Sequence, residues 1–216
     1  MQFFVRIRRY TELAMLLHWM VAAGIAFLFI HGFDMMRIPE AQRLVQLNMH
    51  RSVGVVVFAL VLVRIAWRIA HPPPHVPMPK MQAWAASYVH ILIYVLLVVN
   101  GIAGTVGWVA SGDPVVFFSY AVAGARTASP ELDHFCILVG MTTARILMVV
   151  IVLHVLAVVK HEWLDRDELL ERMVPGPPTA VALRPRDIAQ RVREWRSSRR
   201  APRVAADKAA SPTARE

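Results

Sequence analysis

Six histidines of this 216-residue chain lie within or at the end of long apolar runs: His18, His31, His50, His90, His154 and His161. Imidazole is the commonest metal-binding side chain and the usual proton carrier near neutral pH. An ionisable group inside an apolar span is expensive and marks a functional site by default. The last apolar run, Phe135 to Val159, carries Arg145 and His154, and His161 follows it. Seven residues separate these two histidines, which places them within roughly 20° of each other on one helix face.

The elements that hold these groups follow from composition. Hydrophobic residues make up 56% of the chain and charged residues 18%, with mean hydropathy +0.46. Charges gather at the ends and between the apolar runs, the pattern of a membrane protein. Met1 to Tyr10 is basic but leads to no small-residue cleavage site, so the first span is expected to be retained. The single cysteine, Cys136, excludes an internal disulfide framework and any CxxC zinc or iron–sulfur module. The net charge of +9 sits beside the spans rather than in a nucleic-acid patch. Anionic lipid and membrane topology therefore account for it, and no nucleic-acid partner is expected.

The sequence predicts an all-α integral membrane protein, a bundle of four transmembrane helices. Spans are expected at residues 13–33, 46–67, 83–109 and 135–159, each long enough at 1.5 Å per residue for a core of about 30 Å. A short lead (1–12) precedes them, and a basic tail (166–216) follows the membrane domain (13–165). Arg51 and Arg64, near opposite ends of span two, are expected to reach towards the two interfaces. The run His71-Pro-Pro-Pro-His75-Val-Pro77 ends the second helix; a copper or nickel site at His71 and His75 is a minor reading. Asn100, Gly101, Gly104 and Gly107 give the third span small residues for close helix approach. Asp113 to Asp133 reads as the longest internal loop. Residues 184–200 read as a basic amphipathic surface helix or as disordered tail. Lys and Arg concentrate in the lead, in the second connection (Arg64, Arg68, Lys80) and in the tail, so both termini are expected in the cytoplasm of a bacterial inner membrane.

With that topology, His18, His90 and His154 share a cytoplasmic-side layer, while His50, His31 and His134 lie near the outer surface. Two imidazoles facing each other at matching depth on rigid helices are what haem b requires. The plainer reading of a single membrane histidine is helix–helix hydrogen bonding. Four spans that each bear one, at two depths, favour haem. The methionines, among them Met15, Met20 and Met141, read as packing residues.

Several segments then resemble one family. LLHWM in span one is similar to the opening of the bacterial cytochrome b561, or nickel-hydrogenase b-type cytochrome, family. So are LNMHRSVGVVVFALVLVRIAWRIAHPPPHVPMPK, YVHILIYVLLVVNGIAG and LHVLAVVKHEWLDRDELLERMVPG. The resemblance runs from about Tyr10 to Gly176, and it looks most like the short four-span, di-haem members that pass electrons from superoxide to ubiquinone. It implies an inner haem iron held by His18 and His154. It implies an outer iron held by His50 and a second span-four histidine, fourteen residues before the inner one. Gly140 stands at that position. His134, twenty residues from His154 and about 200° around a regular helix, substitutes only if span four begins irregularly or the loop before it folds inward; otherwise the outer haem is absent. Arg145 suits a haem propionate or, equally, a carboxylate or interhelical carbonyl. His90 and His161 are accessory positions near the inner haem or a quinone, or structural hydrogen bonders.

The expected function is therefore a membrane b-type cytochrome that exchanges electrons between one or two haem b groups and ubiquinone, with superoxide oxidation at the outer face. Nearly balanced charge in the outer loops gives little steering for an anion. Two rivals remain: a haem b anchor subunit for a periplasmic dehydrogenase or hydrogenase, and a haem-free membrane interaction protein.

Overall fold

The computed structural model describes residues 4–6, 9–35, 37–72, 79–165, 172–174 and 180–182. Residue His75, the segment 184–200 and most of the tail lie outside them. Two units divide the chain: residues 9–175 form one, and residues 1–8 with 176–216 the other. In the smaller unit, strand β1 (Phe4–Arg6) pairs antiparallel with β4 (Ala180–Ala182).

The larger unit contains four helices: α1 (Glu12–Met35), α2 (Glu40–Ala70), α3 (Lys80–Ala110) and α4 (Pro130–Lys160). All four are long and apolar enough to cross a membrane, and each contains one of the expected spans. Local chemistry sets their ends. The Thr11 hydroxyl accepts a hydrogen bond from the Ala14 amide at 3.3 Å and caps α1. Pro130 stands in the first turn of α4 with Glu131 and Asp133, where a proline loses no bond and acids meet the positive end of the helix. His71 closes α2 just before the proline run.

Packing runs in sequence, with α1 on α2, α2 on α3 and α3 on α4. No comparable packing joins α4 back to α1. Mid-way along the helices, Val21, Val57, Val61, Leu96, Leu97 and Leu147 form a closed core to which all four contribute. A Cβ at Gly101 would strike the Phe58 ring, so this glycine lets α2 and α3 approach closely. Asn100 ties α3 to α4: its Nδ2 donates to the Gly140 carbonyl at 3.0 Å and to Thr143 Oγ1 at 2.9 Å. Replacing Asn100 by Ala removes both bonds and should cost about 0.6–1.7 kcal/mol, read as a lower melting temperature in detergent micelles with haem content unchanged.

The region expected to be a loop between the last two spans holds a hairpin, β2 (Val115–Phe117) and β3 (Tyr120–Ala123). Phe118 at its turn has a positive φ of 53°, and its amide donates to Ser52 Oγ at 2.8 Å. Ser52 is fully buried and donates to the Asn48 carbonyl at 2.7 Å. The Arg51 guanidinium forms an ion pair with Asp113 at 3.0 Å and lies over the Trp108 ring. This end of the bundle is called the hairpin end below; the other, where Arg9 donates to the Val174 carbonyl and Trp19 Nε1 to the Met173 carbonyl at 2.8 Å, is called the terminal end.

Candidate functional site

Histidines lie on both sides of the apolar core. Towards the terminal end, His90 on α3 and His154 on α4 stand with ring centroids 5.2 Å apart, edge to face. His18 on α1 is within electrostatic reach of both. The His90 Nδ1 is 2.6 Å from the Ala86 carbonyl one turn earlier, the contact by which a backbone oxygen holds one imidazole nitrogen and leaves the other to face a ligand.

Arg64 joins this cluster, its guanidinium reaching the first turn of α1 at the terminal end. It is 8% exposed, and its Nη1 donates to the Ala14 carbonyl of α1 at 2.8 Å. The carbonyl of a neighbouring helix meets a guanidinium donor here and makes burial tolerable. Arg64 also lies within electrostatic reach of His18 and His154. Beside it, Tyr10, Ala14, Trp67, Arg68, His71 and Tyr94 line a small pocket. Trp67 stacks on His71 at 3.8 Å, and Arg68 lies over Tyr94. Arg51, likewise, reaches the hairpin end, where it pairs with Asp113. Sequence periodicity cannot show this, because it gives a helix face and not the neighbour that meets it.

Towards the hairpin end, His31 on α1 and His50 on α2 face each other with ring centroids 6.0 Å apart. Each keeps a buried Nδ1 that no described residue satisfies. Burying an unpaired nitrogen is costly, and such orphans call for a bound group or water. The sequence reading placed His31 at this depth but gave it no role; its signal was a position at the far end of an apolar run, like that of His50.

His134 and Arg145 are not brought to either layer. Helix α4 runs unbroken from Pro130 to Lys160, so the irregular start that would turn His134 inward does not occur. His134 is exposed, and the regular helix keeps it about 200° from His154. Arg145 is exposed too, nine residues from His154 and therefore on the opposite side of α4. His161 is partly buried and opens a π-helical turn, His161–Asp165.

Gly140 is partly buried, and a Cβ there would meet nothing within 4 Å. It lies within about 40° of His154 on the helix. The position where the resemblance has a histidine thus lies on the His154 side of α4, and a Cβ there meets open space.

Among the described residues, no three His, Cys, Asp or Glu side chains converge as metal ligands. The imidazoles come instead as small clusters at two levels, and α1 packs less against α4 than successive helices pack on each other. That donor set fits haem, where the porphyrin fills four positions and the protein supplies two.

The pattern that defines the prokaryotic cytochrome b561 family matches residues 9–176. The chain belongs to this family. It is thus a membrane b-type cytochrome of electron transfer, an all-α bundle of four spans that binds haem b. Among its relatives, Cytochrome b561 homolog 2 of Escherichia coli (strain K12) is 28% identical over 178 residues, 77% of this chain and 91% of the relative. Probable superoxide oxidase CybB of Yersinia pestis is 26% identical over 174 residues, 78% of this chain and 97% of the relative. Cytochrome b561 homolog 1 of Escherichia coli (strain K12) is 25% identical over 175 residues, 77% and 97% respectively.

Within the cytochrome b561 fold, haem b when bound supplies reversible one-electron iron chemistry. The chain's own part is fixed geometry and field. His18 and His154 present imidazoles from α1 and α4. His90 stands at the same level, held at the Ala86 carbonyl, and Arg64 sets a buried positive charge beside it. The Val57–Leu97–Leu147 layer is an apolar core between the two levels.

Proposed function

We propose that this cytochrome b561 carries electrons between superoxide at the outer membrane face and ubiquinone in the membrane. The single observation that carries this reading is the presence of two histidine levels, one on each side of a closed apolar core. At the terminal end, His18 and His154 hold the inner iron, with His90 as positioning residue and Arg64 and Arg68 towards the propionates. At the hairpin end, His50 holds the outer iron and His31 takes the place left by Gly140. The imidazole spacing there supports the assignment: two metal–nitrogen bonds of roughly 2 Å each, plus the ring radii, put the centroids about 6 Å apart. Both termini face the cytoplasm of the bacterial inner membrane in this reading, which the Lys and Arg distribution supports. The pocket of Trp67, Tyr94, Arg68 and His71 is the quinone-side surface, and His161, in the π-helical turn after α4, is accessory to it.

The test is a reconstituted assay. Purified protein in liposomes containing ubiquinone should show haem reduction by superoxide followed by ubiquinol formation, with the reduced-minus-oxidised spectrum recorded in parallel. Haem that superoxide leaves oxidised while a dithionite control reduces it would overturn the superoxide step and leave the b-type cytochrome standing. Colourless protein would overturn the haem ligation itself.

A further inference from the structure

Arg145 is the midpoint of α4, with fifteen residues between it and each end, Pro130 and Lys160. Within the span 135–159 that leaves roughly 15 Å of helix on one side and roughly 21 Å on the other, too far for the side chain to reach a membrane surface. It points away from the bundle, and its neighbours on that side are apolar and exposed: Leu138 58%, Val149 57%, Val152 52% and Leu156 57%. Among the described residues, neither an ion pair nor a hydrogen bond engages Arg145. A guanidinium remains charged at this depth, and hydrocarbon gives it no partner.

The four spans hold no counter-charge for it. Residues 13–33, 46–67, 83–109 and 135–159 contain no Asp or Glu. A second copy docked on the same face would bring a second Arg145 and again no carboxylate, setting like charges together in a medium of low dielectric. The surface needs an apolar helix with one acidic group at matching depth, which a guanidinium engages through paired N–H donors.

We propose that the exposed face of α4, centred on Arg145, is a docking surface for a membrane-spanning helix of a different chain that carries an aspartate or glutamate at mid-bilayer depth. The inference rests on the four spans crossing a membrane, and it is independent of the superoxide and quinone assignment.

The experiment uses the full chain in its native membranes, with a photo-cross-linking phenylalanine analogue at Leu138 or Val149 and sequencing of the cross-linked peptide. The expected product is one heterologous span bearing an acidic residue. Arg145→Leu should lower that cross-link at least tenfold with haem per chain unchanged. Exchanging the charges, Arg145→Glu against the partner's acid replaced by Arg, should restore it. Cross-links only to lipid or to a second copy would overturn the proposal, as would a partner span without a carboxylate or a cross-link indifferent to Arg145→Leu. Haem lost in Arg145→Leu would overturn it as well and assign the guanidinium to the haem.

Discussion

A His154→Ala protein will purify with one haem fewer per chain than its parent, and His18→Ala will lose the same haem. The two side chains come from α1 and α4, the pair of helices without extensive mutual packing, so no other contact in that seam substitutes for the iron–imidazole bonds. Removing either imidazole would leave the haem with one protein ligand in place of two. His90→Ala should behave differently. Its ring touches His154 edge to face at 5.2 Å and is held at the Ala86 carbonyl, which makes it a brace for a ligand. Loss of such a supporting group typically weakens retention about 10–100-fold. His90→Ala should therefore keep its haem at saturating supply, with a shifted midpoint potential. Pyridine haemochrome counts per chain and a redox titration separate the three variants. A His154→Ala protein with its full haem count would overturn the assignment, and so would a His90→Ala protein that loses the inner haem outright at saturating haem.

The second large effect is expected at the hairpin end. His31→Ala should reduce two haems per chain to one, and adding Gly140→His should bring the count back to two. The reason is spatial. Gly140 lies within about 40° of His154 around α4, with no atom within 4 Å of a Cβ placed on it. An imidazole there would occupy the position that family resemblance assigns to the outer ligand. The Asn100 bond is to the backbone oxygen of residue 140, so a side chain leaves that tie intact. His134→Ala should change neither count, because that residue lies exposed on an unbroken helix. A second haem that survives His31→Ala in the Gly140 background would show that His50 finds its partner elsewhere. A second haem lost in His134→Ala would mean the start of α4 rearranges on binding. If Gly140→His fails to restore the count, residue 140 does not present its side chain to the outer level.

The amino-acid sequence by itself determined that this is a four-span membrane bundle, because apolar run length and charge placement act locally and need no knowledge of neighbours. It also determined the depth of every histidine, since 1.5 Å per residue turns a position into a level. Through its motifs it determined the family. Periodicity further placed His134 and Arg145 far around α4 from His154 or near one another, as the regular helix bears out.

Only the tertiary structure decided which groups meet. Arg64 reads in sequence as a side chain reaching for the interface, and the structure supplies the acceptor it meets, the Ala14 carbonyl fifty positions away in the chain. His31 had a depth but no partner until α1 and α2 set it against His50. Ser52 meets the Phe118 amide because the hairpin folds against α2. Arg145 read as a group inside the bundle, because a charge in an apolar run invites a buried partner, and the structure turned it outward. Each of these depends on rotation of one helix against another. Close packing at positions such as Gly101 sets that rotation, and a one-dimensional pattern does not carry it.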